Sequence, residues 1–140
     1  MIVTEYSREE IRAALDQRLV YQDADDWDAF GLTFTPDAVY VEHHEGTFEG
    51  RETILAWLVP VMDQCKGWTF PIEWVVIEGN RVVYKWQNRL PGSKPDGTFY
   101  EFGGVTICVY AGNGTWSYQE DIYNFEETMA VVTEWAKAQS

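Results

Sequence analysis

The stretch Trp116-Ser117-Tyr118-Gln119-Glu120-Asp121-Ile122-Tyr123-Asn124 determines how the rest of the chain is interpreted. Its aromatic and branched residues predict a β-strand, and Gly112-Asn113-Gly114 just before it is typical of a tight turn. Side chains alternate across a strand, so two sets occupy opposite faces. The more polar set comprises Ser117, Gln119, Asp121 and Tyr123. The other set comprises Trp116, Tyr118, Glu120 and Ile122.

Both faces of this strand need an environment that suits them. If the polar face points into the protein, Asp121 becomes a buried acid, which is costly unless it is paired, hydrogen-bonded or protonated. The alternative is an edge strand whose polar face lies in water. On the opposite face we expect Trp116, Tyr118 and Ile122 to lie outside the sheet and to contact a second subunit, which makes the protein a homodimer.

Length and composition indicate one aromatic-rich domain over residues 1–140. The chain of 140 residues is long enough for a core of its own. It contains 7 Trp, 8 Tyr and 7 Phe. This aromatic content exceeds what a small core requires, so it favours a lined cavity, an apolar interface, or both.

Charge and cysteine usage exclude several classes of partner. The formal net charge of −13 opposes binding to nucleic acid and to acidic membrane surfaces. No segment is apolar enough to span a bilayer. Cys65 and Cys108 follow no metal or redox spacing, which indicates buried, reduced thiols. We therefore expect a cytoplasmic protein with no nucleic-acid or membrane partner.

The order of elements predicts the fold class. Helical patterns come first and long strands follow, which favours an α+β fold with helices covering one face of a curved antiparallel sheet. Ser7 and Glu10 form a capping box for the first helix, and Pro60 should end or bend the third. The predicted helices span residues 7–22, 25–30, 51–64 and 124 onward. The predicted strands span 38–44, 70–78, 81–90, 99–110 and 116–124, with a turn or short strand at 46–50. Gly103-Gly104 predicts a bulge or bend.

This order of elements, with several short motifs, resembles the SnoaL-like branch of the nuclear transport factor 2-like superfamily. The motifs are Asp26-Trp27, Thr35-Pro36-Asp37-Ala38, Gly50-Arg51 and the Glu120–Asn124 segment. The resemblance covers nearly the whole chain. It implies a cone, in which a bent sheet and three to four helices enclose an apolar pocket. Such folds include ketosteroid isomerase, polyketide cyclases, scytalone dehydratase and limonene epoxide hydrolase, as well as proteins that only bind partners.

The resemblance implies roles for individual positions. Asp121 falls where the polyketide cyclases, and one arm of the epoxide hydrolase triad, have their catalytic aspartate. Tyr40 matches a tyrosine that holds the hydrolytic water in the epoxide hydrolase, and Glu42 stands where that enzyme has an asparagine. The arginine and second aspartate of that triad align with Trp86 and Asn88. These two departures argue against epoxide hydrolysis in its usual form.

Each candidate catalytic residue has a second interpretation. In an aromatic pocket, Asp121 would be a proton shuttle with a raised pKa, but it can also be a structural carboxylate satisfied by neighbours. Tyr40 can stabilise an oxyanion or be a strand aromatic. Glu42 and Asp121 can act as a general acid and a general base, with one residue in each role. Alternatively, Glu42 lies in water at the rim of the pocket. His44, on the same strand face, can titrate near neutral pH or lie at the surface.

Asn88 is the fifth candidate catalytic residue, and the remaining candidates would shape the pocket. Asn88 would orient a carbonyl group, and the predicted substrate-pocket residues are Trp27, Trp86, Gln119 and Tyr123. No nucleotide-binding glycine motif is present, and the adjacent His43 and His44 point to opposite strand faces. We therefore expect neither a cofactor nor a metal.

These observations leave two main hypotheses and a weaker third. The first is a cofactor-free enzyme that uses acid–base proton transfer on a small, apolar or aromatic, ring-containing substrate. Its reaction would be that of an isomerase, a lyase or dehydratase, or a cyclase. The second is a non-catalytic ligand-binding or dimerisation module on the same fold. The third is an epoxide hydrolase with a non-standard water site.

Overall fold

The computed structural model describes residues 4–140, which form four helices and one six-stranded sheet. The expected domain, residues 1–140, therefore has its first three residues outside the described range. The helices are α1 (Arg8–Asp23), α2 (Trp27–Gly31), α3 (Arg51–Asp63) and α4 (Phe125–Ala138). The strands are β1 (Phe34–Glu42), β2 (Gly46–Glu49), β3 (Ile72–Glu78), β4 (Arg81–Arg89), β5 (Glu101–Gly112) and β6 (Thr115–Tyr123).

The strand order β2-β1-β6-β5-β4-β3 confirms the α+β fold class, and the sheet is curved and unclosed. Four of the five neighbouring pairs are antiparallel, but β1 and β6 pair in parallel. A parallel pair needs a long crossover connection, and here helix α3 and four strands lie between the two partners in the chain. The sheet is therefore mixed, whereas the sequence predicted antiparallel pairing alone.

Local side chains begin three of the helices as the sequence indicates. The Ser7 hydroxyl accepts a hydrogen bond from the backbone N–H of Glu10 at 3.0 Å. Asp26 caps α2, and the Asn124 side chain accepts from the backbone N–H of Glu127 at 3.0 Å. These caps satisfy donors that the first turn of a helix leaves free. Helix α3 continues through Pro60 to Asp63, so the proline does not end the helix.

A register shift in the β5–β6 hairpin places Trp116 inside the protein. Val109 pairs with Tyr118, but Tyr110 pairs with Trp116, so Ser117 is one residue extra on β6. Such a bulge reverses the alternation beyond it. The indole of Trp116 is fully buried, with its ring 5.1 Å from that of Tyr110. The expectation that Trp116 lies on the outer face is therefore wrong, while Tyr118 is partly exposed and Ile122 is exposed.

The glycine pair in β5 serves close packing, because the β4–β5 register continues unbroken through both residues. Of the bulge or bend predicted at Gly103-Gly104, the bulge is therefore absent from this ladder. A Cβ atom at Gly104 would lie 2.4 Å from the Trp86 ring and 2.8 Å from the backbone oxygen of Ile122. Glycine at this position leaves room for the Trp86 ring.

The core lies between the inner face of the sheet and helices α1, α2 and α3. It contains buried residues from both layers, among them Ile11, Leu15, Phe30, Phe34, Ile54, Val82 and Cys108. No helix among residues 4–140 is long and apolar enough to cross a membrane. The helices and the sheet leave a cavity between them.

Candidate active site

The cavity has a volume of about 290 Å³ and opens between the helices and the inner face of the sheet. Most of its wall is aromatic or aliphatic. Tryptophan, phenylalanine and tyrosine side chains from α2, α3 and four strands contribute, together with Leu58, Val61, Met62 and the thiol of Cys65. An apolar cavity with few polar groups is the usual form of a small-molecule site.

Asp121 is the polar centre of this cavity. Its Oδ1 accepts hydrogen bonds from the Thr106 hydroxyl at 2.8 Å and from Gln119 Nε2 at 3.0 Å. Its Oδ2 accepts from the Tyr40 hydroxyl. Each carboxylate oxygen has two lone pairs, so one position on Oδ2 remains free. Asp121 lies deep in the protein, and its accessible surface faces the cavity.

Two opposing influences act on the acidity of Asp121. Burial raises the pKa of the carboxyl, because a charged group is disfavoured away from water. The hydrogen bonds from Tyr40, Gln119 and Thr106 lower the pKa, and the charge of Arg18 lowers it as well. Burial is the larger effect, so the pKa of Asp121 is raised. A carboxyl group moved toward neutrality is suited to exchanging a proton with a bound molecule.

Tyr40 is held against Asp121 and has no other proton to donate. Its hydroxyl donates to Asp121 and accepts from Gln119 Nε2 at 3.0 Å. Burial and the negative charge of Asp121 raise the pKa of Tyr40 well above its ordinary value. The phenol is therefore neutral, and in this arrangement it positions the carboxylate.

Glu42 is a second acid in the cavity wall, and it pairs across the sheet with Asp121. Its Oε2 accepts from the Tyr123 hydroxyl at 2.7 Å, and its Oε1 accepts from the backbone N–H of His44 at 2.8 Å. Burial and the neighbouring Glu42 charge raise the pKa of Tyr123. Glu42 is only 9% exposed, so it belongs to the wall of the cavity.

The two histidines lie outside the cavity wall. The exposed ring of His44 stacks on Phe125, with 4.4 Å between ring centroids, and also contacts Tyr123. His43 Nε2 is 2.6 Å from Glu120 Oε2 on the other side of the strand. Only the backbone of His44 contacts the cavity acids, through Glu42.

The predicted pocket residues Trp27, Trp86, Gln119 and Tyr123 all contribute to the cavity wall, as does Asn88. Gln119 also binds Asp121 directly. Trp86 is linked to Asp121 through Thr106: its Nε1 donates to the Thr106 hydroxyl at 2.8 Å, and that hydroxyl donates to Asp121. The side chain of Asn88 makes no hydrogen bond within the described residues.

Sequence reasoning missed two residues of this site. Thr106 pairs with Asp121 across the β5–β6 ladder, a position that requires the register of the hairpin. Arg18 is fully buried on α1, with its guanidinium 4.2 Å above the Phe30 ring and 4.6 Å from the Phe34 ring. Its guanidinium nitrogens have no hydrogen-bond partner within residues 4–140. The position of Arg18 in the apolar stripe of α1, between Leu15 and Leu19, was the available signal.

No group of three or more histidine, cysteine, aspartate or glutamate residues within residues 4–140 is arranged to hold a metal ion. Cys65 and Cys108 are free thiols. Burial raises the pKa of Cys65 to about 11 and that of Cys108 to about 12. Neither thiol is therefore activated as a nucleophile. The polar chemistry of the cavity depends on Asp121, Glu42 and their hydrogen-bonding partners.

The comparisons with known proteins agree with this architecture. A family model described as a SnoaL-like domain matches residues 9–118. An LEH-like epoxide hydrolase from M. tuberculosis is 14% identical, with a TM-score of 0.73 over 94% of this chain and 95% of that chain. TerC co-crystallised with polyporic acid is 18% identical, with a TM-score of 0.70 over 89% of this chain and 98% of that chain.

A candidate polyketide cyclase from Sinorhizobium meliloti is 19% identical, with a TM-score of 0.61 over 79% of this chain and 94% of that chain. At these identities the similarity shows a common fold alone. No curated protein matches the sequence.

Proposed function

Because the chain belongs to the SnoaL-like domain family, we propose that it is a cofactor-free enzyme that transfers protons on a small, ring-containing, largely apolar molecule. The reaction would be an isomerisation, a dehydration or other lyase step, or a cyclisation. One observation carries the proposal. A single carboxyl group with a raised pKa and one free acceptor position faces an aromatic cavity.

The hydrogen bonds around Asp121 suit it to act first as a base. Three donors favour the ionised form, and the free position on Oδ2 takes the proton of a substrate C–H or O–H group. Protonation weakens the charge-assisted bond from Tyr40. The Tyr40 hydroxyl then donates to an oxygen of the substrate that has gained negative charge. The proton on Asp121 returns to a different substrate atom.

Water exclusion supports this chemistry. The wall of the cavity is mainly aromatic, and hydrogen bonds and charges act more strongly where water is absent. A positioned acid or base contributes about 10²–10⁴ in rate. Stabilisation of the developing negative charge by the Tyr40 hydroxyl would add to this contribution.

The proposal is tested by proton exchange in deuterated water. Steroid, terpenoid and aromatic ketones are first screened for binding by thermal shift, and deuterium incorporation into each bound ketone is then followed by NMR. We expect Asp121→Asn to bind the same ketone and to lose exchange by at least about 10²-fold. The matched control is Glu120→Gln, the neighbouring acid on the opposite strand face. Exchange at the wild-type rate in Asp121→Asn would contradict the proposal.

A binding module is the second candidate function. Every donor around Asp121 comes from the protein itself, and a structural carboxylate would have the same surroundings. Tight binding of a ring compound without exchange or turnover in the wild-type protein favours this alternative.

Epoxide hydrolysis is a weaker alternative. It is supported by the fold shared with the LEH-like enzyme. In this chain Trp86 and Asn88 occupy the positions that the family resemblance assigns to the arginine and the second aspartate. A hydrolytic water would then have to be held by Asp121, Tyr40 and Gln119.

We also propose that the protein is cytoplasmic, since a reducing compartment keeps thiols such as Cys65 and Cys108 unpaired.

A further inference from the structure

The charged side chains in the cavity wall are all acidic. Glu42, Glu45 and Asp121 contribute to the wall, and no lysine, arginine or histidine within residues 4–140 does. The whole chain has a formal net charge of −13. A cleft with one sign of charge and apolar walls concentrates the field and attracts ligands of the opposite sign.

The negative charge is unevenly compensated along the cavity. The buried guanidinium of Arg18 lowers the pKa of Asp121, so the charge of that carboxylate is partly compensated. Arg18 is not part of the cavity wall, because its guanidinium is enclosed by the rings of Phe30, Phe34 and Trp116. Glu42, which pairs with Asp121 across the sheet, accepts hydrogen bonds from two neutral groups only. Glu45 is exposed in the turn after β1.

The aromatic wall adds a second attraction for a cation. Four indoles contribute to the cavity, and indole gives the strongest cation–π interaction among the aromatic side chains. They belong to Trp27, Trp57, Trp68 and Trp86, and the phenol of Tyr123 lies beside Glu42. Aromatic rings combined with uncompensated acids are the chemistry by which proteins bind protonated amines and quaternary ammonium groups.

We propose that the cavity selects ring compounds that carry a basic nitrogen. The ring lies against the aromatic wall with its reacting end near Asp121, and the protonated nitrogen lies near Glu42 and the exposed Glu45. This inference rests on the proposed function in one respect, since it orients the reacting end of the molecule toward Asp121. The selection itself is a binding property, so it is measurable without knowledge of the reaction.

Three probes of one shape test the proposal: phenylbutylamine, phenylbutanol and phenylbutyrate. Binding to the wild-type protein is measured by tryptophan fluorescence and calorimetry at low and high salt. We expect the amine to bind at least about tenfold more tightly than the alcohol. The carboxylate should bind more weakly than the alcohol. The preference for the amine should decrease at high salt, because exposed charges are screened.

Variants locate the selectivity within the molecule. Glu42→Gln removes the charge and keeps the size of the side chain: its amide oxygen can accept from the His44 backbone N–H, and its amide NH2 can donate to the Tyr123 hydroxyl. We expect it to reduce the ratio of amine to alcohol affinity at least about threefold. Glu45→Gln changes an exposed side chain and should reduce the ratio in the same direction. Glu120→Gln removes the same charge from the outer strand face and should leave the ratio unchanged.

Several results would overturn the inference. They are an alcohol that binds as tightly as the amine, no detectable binding of the amine, or a ratio that neither Glu42→Gln nor Glu45→Gln alters. If neutral ketones bind and exchange protons in an Asp121-dependent manner while the amine shows no preference, only this inference fails. If the amine is selected but no ligand undergoes exchange or turnover, only the proposed enzyme activity fails.

Discussion

At the scale of single residues, Asp121 is held between opposing influences. Burial raises its pKa, whereas three hydrogen-bond donors and the Arg18 charge lower it. Such a balance costs stability, because the ionised form is kept in a poorly solvated place. One acceptor position on Asp121 Oδ2 remains available to a bound molecule. A buried acid retained under these conditions is a feature typical of functional sites.

The raised pKa of Asp121 predicts how stability depends on pH. The folded state holds this proton more tightly than the unfolded state, whose value is near 3.8. The stabilisation that comes from tighter proton binding by folded Asp121 is therefore fully present at pH values below the unfolded-state pKa. It is lost as the pH rises through the folded-state pKa. Asn at this position does not titrate. The unfolding free energy of Asp121→Asn minus that of wild type should increase as the pH rises through this range.

Urea unfolding of both proteins at about pH 4 and about pH 7 measures this difference. A difference that stays constant, or that decreases toward neutral pH, would show that the folded pKa of Asp121 is not raised.

Arg18 provides a second prediction at this scale. Methionine has a similar length and no charge, so Arg18→Met removes an influence that lowers the pKa of Asp121. The pKa of Asp121 should therefore rise further, which carbon NMR of the carboxyl group measures directly. Replacing an unpaired buried charge by an apolar side chain is often neutral or stabilising. An unchanged pKa in a folded variant would exclude electrostatic coupling between the two residues.

At the scale of elements, strand β5 supports the site through its glycine. The missing side chain at Gly104 leaves room for the Trp86 ring, whose Nε1 donates to Thr106 at 2.8 Å. Thr106 in turn donates to Asp121. A change in one strand position is therefore transmitted to the carboxylate through two hydrogen bonds.

We predict that Gly104→Ala lowers the unfolding free energy by about 1–3 kcal/mol, because the new methyl group overlaps the Trp86 ring and lies too close to the backbone oxygen of Ile122. The matched control is Gly103→Ala. Its methyl group would meet the ends of the Gln87 and Lys85 side chains at 3.1 Å and 3.2 Å, and these flexible groups can move. Denaturant unfolding compares the two. Equal losses in both variants would show that the Trp86 contact is not the cause.

At the scale of the whole molecule, the outer sheet face remains without a cover within the described residues. Neighbouring strands place Trp74, Val76, Val83, Val105, Ile107 and Ile122 on this face. Trp74, Val76 and Ile122 are 46%, 54% and 41% exposed. We propose that a second copy of the chain covers this face, without any contribution from the buried Trp116.

Sedimentation at micromolar concentration tests this assembly. Wild type should sediment as a dimer, and Ile122→Glu should shift it to monomer, because the new carboxylate would lie in an apolar contact. Val20→Glu is the control, since Val20 is 59% exposed on α1, away from the sheet. A monomeric wild type would refute the assembly, as would a dimer that Ile122→Glu leaves intact.

The sequence alone predicted those structural features whose physical cause lies within a few residues along the chain. The caps at Ser7 and Asn124 depend on residues three positions away, and the sequence places these helix starts correctly. The second helix begins at Trp27, two residues later than predicted. Strict alternation also holds from Gln119 to Tyr123, because no bulge interrupts that part of β6. The fold class, and the common face of Gln119, Asp121 and Tyr123, were therefore predictable from the sequence, whereas the sequence left open whether that face points inward.

Tertiary structure alone decided the features that depend on partners distant in the chain. The bulge at Ser117, which buries Trp116, arises from the pairing of β6 with β5. The parallel pairing of β1 with β6 joins segments separated by most of the chain, and it places Glu42 beside Asp121. Arg18 and Thr106 come near Asp121 only through packing and register. Alternation and helical periodicity describe each element alone, so they contain no information about which residue of another element it will meet.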